Sequence, residues 1–372
     1  MSTPTARPVT AVVGTGPGGC AAAALLSRAG HEVRVLGRAS ARGEAVAAAG
    51  ALRLVEPESS CSVTGLTFTT DPASAVTGAS RVVLLVPTST IAAYASSIAP
   101  WLDPGTRVLL APGHTGGALV FRTAVRAHDP ALAAALPVAE TCTLPFVARM
   151  TTPAEVTVWR RTENLLTGAL PAASADELVA AFSGVFEHLR PVGSVLESSL
   201  SNLNAVLHPP GMLGNIGWIE STGGAFRYYS EGVTPGVAAI MDAIDAERLA
   251  IAAAFGLDLP PFIDMFHAAG LVDDAVHATG DTYQAVHTSG PNLLIQAPAS
   301  LTDRYVAEDV GSGLVALTAF ARAARVATPV MDGLIELACV VNRTDYRRVG
   351  TTATAMGLTG LDRDGVLALV TS

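Results

Sequence analysis

The sequence contains no lysine. All 23 of its basic residues are arginine, set against 32 aspartates and glutamates, for a formal charge of −9. It can therefore supply no Schiff-base lysine, no pyridoxal aldimine, no Walker-type phosphate-binding lysine and no lysine acid or base. Nor are the arginines clustered, since the longest basic runs are the pairs Arg160-Arg161 and Arg347-Arg348. A nucleic-acid partner, which needs a basic face, is not expected. Cysteine is scarce: Cys20, Cys61, Cys142 and Cys339 stand far apart, with no CxxC pair and no neighbouring histidine. They read as reduced, mostly buried thiols of a cytoplasmic protein, and no metal site is expected. Long apolar runs are missing too. Half the residues are apolar, yet none of the runs approaches the roughly 18 residues of a spanning helix, so no membrane association is expected. Residues 1–8 are short and polar and lead straight into a strand, which argues against a signal peptide.

What is present is a regular alternation. At roughly 100–200 residues per domain, 372 residues suggest two domains. Residues 9–13 form an apolar run that stops at Gly14, as a buried parallel strand does. An Ala/Leu-rich helix over 20–28, closed by Gly30, leads to an alternating strand over 31–36. A helix over 40–49 stops at Gly50; then come a strand over 81–86, a helix over 91–98 and a strand over 106–110. Further strands are expected over 156–159 and 189–196. From Ser198 onward helices dominate. The clearest opens with Thr234 as N-cap and Pro235 at its first position, carries Val237, Ile240, Met241, Ile244, Ile251 and Phe255 at helical spacing, and ends at Gly256. Another covers 314–325. The expected fold is α/β: an N-terminal Rossmann-type doubly wound parallel sheet in residues 1–197, followed by an all-α C-terminal domain in 198–372.

The stretch VVGTGPGG sets Gly14, Gly16 and Gly19 as GxGxxG between a strand and a helix. The first glycine permits the tight turn, the second lets backbone approach a pyrophosphate, and the third packs helix on strand. A dinucleotide is expected there. The acid that grips the ribose 2′-hydroxyl in NAD sites is missing from the end of the second strand, which reads Leu36-Gly37-Arg38. Arg38 suits a 2′-phosphate, so NADP(H) is expected ahead of NAD(H), and FAD, whose ribose usually needs the same acid, falls behind both.

Four further segments set polar side chains in apolar surroundings. They are PGHTGGALVF (112–121), ETCTLPFVAR (140–149), NLNAVLHPPGM (202–212) and LTDRYVAEDVGSGL (301–314). His208 is the side chain suited to giving and taking protons near neutral pH, and Pro209-Pro210 stiffen the backbone behind it. Plainer readings stand beside this one. A histidine before prolines is often just packed, Asp309 is placed to cap a helix from Val310, and Arg304 has Asp303 and Glu308 within pairing reach. Glu140 and Arg149 either face substrate or pair with each other. His267, His277 and His287 are spaced by ten, which suits neither one helix face nor a metal site.

Together with the glycine loop and the helix reading YYSEGVTPGVAAIMDAIDAERLAIAAAFG (228–256), the order and wording of these segments resemble the octopine/nopaline (opine) dehydrogenase family over about residues 9–360. Its specific part is the His-Pro segment followed about a hundred residues later by RYxxED. The resemblance implies an NAD(P)H-dependent oxidoreductase that condenses an amino group with a 2-oxo acid and reduces the imine. It further implies His208 as proton donor and acceptor, Asp309 as its orienting partner and Arg304 as a carboxylate clamp. Thr143 is expected to touch substrate, and His114 to lie near the nicotinamide, where the family more usually has arginine. Expected partners are small molecules, an amine or amino acid and a 2-oxo acid, and a second copy of the chain in a homodimer. Two competitors stay open: a reductase of a preformed imine or ketone, and a non-catalytic NADP(H)-binding protein. Ketopantoate-reductase and 3-hydroxyacid-dehydrogenase readings fall back, because they rely on a catalytic lysine.

Overall fold

The β-branched run Val9–Val13 lies at the middle of an eight-stranded sheet, where both faces are covered and a continuous apolar strand belongs. The structure, a computed structural model, describes residues 7–39 and 41–372. The sheet runs in the order Leu189–Pro191, Leu165–Leu170, Val138–Thr141, Arg107–Leu110, Arg81–Leu84, Val9–Val13, Glu32–Leu36 and Thr67–Thr69. Six strands, from Val138–Thr141 to Thr67–Thr69, are mutually parallel. Leu165–Leu170 turns antiparallel to Val138–Thr141, and Leu189–Pro191 runs parallel to it, so one edge of the doubly wound sheet is inverted.

The chain divides into two compact units. The first holds the described residues up to Gly113, Gly117–Val195 and Thr371–Ser372; the second holds His114–Gly116 and Leu196–Val370. In the first, the helix Pro17–Arg28 begins three residues earlier than expected. Gly16 is its extended N-cap and Pro17 needs no hydrogen-bond partner for a nitrogen it does not protonate. Its sequence PGGCAAAALLSR is apolar on every side, and Gly19 through Leu26 are all buried. The reason is a second sheet absent from the expectations, in the order Ser59–Thr64, Ala51–Glu56, Glu155–Arg161 and Phe146–Thr152. Leu52, Leu54, Val156 and Val158 share one core cluster with Cys20–Leu26, Val12 and Val35. Small alanines let this helix be covered by both sheets.

Other boundaries also depart from expectation. The strand placed over 189–196 ends at Pro191, which has no N–H for a further rung, and Val195–Leu200 is helical. The helix expected over 40–49 is Ala41–Ala48, with Ser40 outside the described residues. The helix expected to start at 314 is preceded by a π-helical turn, Asp309–Leu314, which follows Arg304–Ala307 and runs into Val315–Ala324.

The second unit is helical throughout its named elements. Its longest helix, Pro235–Ala254, is opened by the Thr234 hydroxyl, which accepts from the Val237 N–H. Two charges sit inside its apolar stripe. Fully buried Arg248 donates through Nε to Asp245, 2.7 Å, and through its terminal nitrogens to the Leu200 and Pro260 carbonyls, while Asp245 also accepts the Phe262 N–H. Every strong polar atom of the pair is met, the condition under which a buried ion pair is tolerated.

Candidate active site

Backbone geometry singles out the glycine loop of the first unit. Gly14 has φ +119°, and a Cβ there would lie 2.3 Å from the Leu85 carbonyl oxygen; one at Gly19 would lie 2.0 Å from the Gly14 carbonyl. Both positions exclude a side chain. At Gly16 a Cβ would meet nothing within 4 Å, so its absence serves no neighbour in the protein and leaves backbone open to an approaching phosphate at the head of Pro17–Arg28. The loop fits a dinucleotide. Arg38 is exposed just past the strand Glu32–Leu36, and its charge bears on the half-buried Tyr94, whose phenol burial pushes up.

Three other residues singled out in the sequence also belong to the first unit. Thr143 is half-buried between Val138–Thr141 and Phe146–Thr152, its carbonyl accepting the Thr141 hydroxyl at 2.8 Å. Glu140 and Arg149 do not form a pair. Glu140 is fully buried and accepts the Ala118 N–H at 2.7 Å, at the start of Gly117–His128, whereas Arg149 lies over the Trp159 ring at 5.8 Å.

The second unit carries the expected proton-transfer group. His208 sits on the helix Asn204–Leu213, which contains Pro209 and Pro210, and is only 5 % exposed. Its Nδ1 lies 2.7 Å from Asp309 Oδ2 and its Nε2 lies 3.2 Å from the Tyr229 hydroxyl. Asp309 opens the π turn. Its second oxygen, Oδ1, is buried with no hydrogen-bond partner among the described residues. The carboxylate therefore leans on the imidazole, and as acceptor it keeps the proton of a neutral ring on Nδ1. Tyr305 stacks on the ring at 3.6 Å and 6°, and the Tyr228 hydroxyl donates to the His208 carbonyl at 2.7 Å. Gly211 makes that last contact possible, because a Cβ there would lie 2.2 Å from the Tyr228 oxygen.

Arg304 and His114 join this cluster through Glu308. The Arg304 guanidinium, with its side chain 49 % exposed, stands 3.8 Å from Glu308, and the His114 ring is 3.8 Å from the other Glu308 oxygen. Asp303 instead caps its own helix, accepting the Tyr305 N–H. His114 is held at φ +56°. Its loop is fastened by Gly116 N–H donating to the Ser199 hydroxyl and by the Asn202 amide donating to Thr115. Burial pushes the His114 imidazole down; Glu308 and Asp309 oppose this, and Arg304 and His208 add to it. The ring is thus neutral near pH 7 and its contact with Glu308 is not an ion pair.

Sequence reasoning missed Tyr228, Tyr229 and Tyr305; it named Glu308 as within pairing reach of Arg304, where the structure has it, but not its approach to His114. The tyrosines were visible inside quoted segments, but nothing in a one-dimensional pattern aims a ring at a histidine 21 or 97 positions away. His267 and His277, whose spacing suits neither one helix face nor a metal site, lie on two short helices and are stacked at 4.2 Å, each bonded to an aspartate of the other's element.

The family model described as NAD/NADP octopine/nopaline dehydrogenase, alpha-helical domain, matches residues 191–342. That of the NAD-dependent glycerol-3-phosphate dehydrogenase N-terminus matches residues 9–113. An opine dehydrogenase from Arthrobacter sp. (strain 1C) is 34 % identical over 365 residues, covering 97 % of this chain and 98 % of the relative. Among solved structures, octopine dehydrogenase in complex with NADH and agmatine superposes with a TM-score of 0.79 at 23 % identity, over 97 % of this chain and 98 % of that one. Yersinopine dehydrogenase with NADP+ bound follows at 0.74 and 17 %, over 98 % of each. The chain belongs to the opine dehydrogenase family and is an NAD(P)H-dependent oxidoreductase acting on CH–NH bonds.

Proposed function

We propose that this enzyme condenses the amino group of an amine or amino acid with a 2-oxo acid and reduces the imine with NADPH. The observation that carries the reading is the buried His208–Asp309 contact of 2.7 Å, five residues after a half-exposed arginine. The nicotinamide supplies the hydride. Everything else is proton transfer and positioning. Carbinolamine formation, loss of water and protonation at nitrogen each need a group that exchanges protons near neutral pH, and His208 is that group. Asp309 orients the ring and stabilises the imidazolium when it forms. Arg304, loosely tied to Glu308, has terminal nitrogens able to grip a carboxylate through two parallel hydrogen bonds. Thr143 contacts substrate, and neutral His114 contacts the nicotinamide end of the cofactor. Gly14, Gly16 and Gly19 shape the pyrophosphate turn, and Arg38 takes the 2′-phosphate that distinguishes NADPH.

The test is a screen of NADPH oxidation over amino acids and amines crossed with 2-oxo acids, with NADH as control. Pairwise dependence on both substrates, with NADPH preferred, is the expected result. Oxidation by a ketone or a preformed imine alone indicates a simple reductase, and cofactor binding without turnover on any pair indicates a non-catalytic protein.

A further inference from the structure

A base that is to take a proton from substrate must present a lone pair, and in this structure a hydroxyl faces the nitrogen of His208 that would present it. Asp309 accepts at Nδ1, which leaves the lone pair of the neutral ring on Nε2. The group facing it is the Tyr229 hydroxyl, at 3.2 Å, so the hydroxyl donates. Tyr229 is 4 % exposed. Burial, with Tyr305, Tyr228 and Asp309 around it, holds its phenol well above the usual value, so it stays a neutral donor wherever histidine titrates.

We propose that Tyr229 is a positioning residue of this site, whose hydroxyl occupies Nε2 in the free enzyme and yields it to substrate. The proposal rests on the reading of His208 as the proton-transferring group. The hand-over needs only rotation of the O–H away from Nε2, which a hydroxyl does readily. It separates two states of the imidazole. In the free enzyme, donation from Tyr229 favours the neutral ring; in the substrate complex that donation has gone elsewhere. The other groups around the ring are Asp309, Tyr305 and Tyr228, with Arg304, Glu308 and His114 beyond them. They are common to both states.

Tyr229→Phe keeps the ring and deletes one oxygen. First, 15N-histidine NMR of the free protein follows His208 without any turnover. The pH midpoint of its signal is expected to move up by roughly half a unit to one unit, the size of one neutral hydrogen bond. An unmoved or lowered midpoint overturns the proposal. Second, the isolated condensation product is oxidised with NADP+ as a function of pH. The acidic limb of kcat/KM, which reports the free enzyme, is expected to move up by the same amount, while that of kcat, which reports the complex, stays in place. Limbs that move together mean that Tyr229 never lets go. A hundredfold fall in kcat with neither limb displaced means that it carries the proton itself. Either result sinks the hand-over. If no substrate pair turns over while the NMR midpoint still moves, the function reading fails and the hand-over with it; the resting contact alone survives. Should Tyr229→Phe not fold, 15N-histidine NMR of the unaltered protein with and without saturating condensation product is expected to show the His208 Nε2 signal shifted on binding; an unchanged Nε2 signal contradicts the proposal.

Discussion

The glycine loop and the His208 cluster are built in opposite ways. The loop is six consecutive residues, Gly14 to Gly19, whose requirements are local: a positive φ, a 2.0 Å clash avoided, an open face at Gly16. The cluster takes His208, Tyr229, Tyr305 and Asp309 from four places spread over about a hundred residues, and no member is constrained by its sequence neighbours alone. Local geometry writes itself into sequence as a pattern. A constellation assembled by packing leaves only isolated residue types, which is why one region could be read as a motif and the other needed a family resemblance.

That contrast can be broken by substitution, because loop and cluster ought to fail in different measurements. His208→Ala is expected to lower kcat by about 10²–10⁴, the worth of general acid–base catalysis, with NADPH affinity by fluorescence titration unchanged. Lost NADPH binding in that variant would contradict the division of labour. Next in size, Arg248→Ala strands buried Asp245 and should cost about 3–5 kcal/mol in urea unfolding; a loss below 1 kcal/mol would mean that the pair is solvated in solution. Arg38→Ser should raise the Kd for NADPH by about 10–100-fold and leave that for NADH alone, since one charge-assisted contact is removed. Equal effects on the two cofactors would rule out a role at the 2′-phosphate. Gly16→Ala meets no protein atom, so the melting temperature should hold while NADPH binds about tenfold more weakly; a fall in melting temperature instead would make Gly16 a structural glycine like Gly14.

The smallest effect concerns His114. Its folded value lies below the ordinary 6.5, so at acid pH the unfolded chain takes up a proton that the folded chain refuses. Stability therefore falls as pH drops through 6.5 toward the depressed folded value, and is unaffected above it. His114→Asn, which tolerates φ +56°, should flatten part of that slope in urea titrations between pH 5 and 8. Half-buried His31, lowered in the same direction by desolvation and Arg81, should keep the slope from vanishing. An unaltered slope would show that His114 titrates freely.

Four of the six parallel strands were legible as apolar or alternating runs ended by glycine, proline or a charge; Val138–Thr141 and Thr67–Thr69 were not. Of the second sheet only Glu155–Arg161 was legible, as the strand expected over 156–159. Its other strands are half-exposed, SSCSVT is almost wholly polar, and Arg53 is paired with Glu155 across a hundred positions, so no local period announces them. The π turn was equally hidden, since DVGSGL carries two glycines and a serine and reads as loop by helix propensity. Close packing requires those small residues: a Cβ at Gly313 would already touch Ala205 on the His208 helix at 3.0 Å.

By itself the sequence determined the chemistry on offer. With lysine absent, protons fall to histidine and fixed positive charge to arginine, and the glycine spacing dictates a dinucleotide turn, because these follow from residue type and nearest neighbours. Tertiary structure alone decided which histidine is held and how. Its Nδ1 belongs to Asp309, its Nε2 to Tyr229 and its face to Tyr305. Hydrogen bonds and ring stacking act over 3–4 Å, and only folding brings residues so distant in sequence to that range.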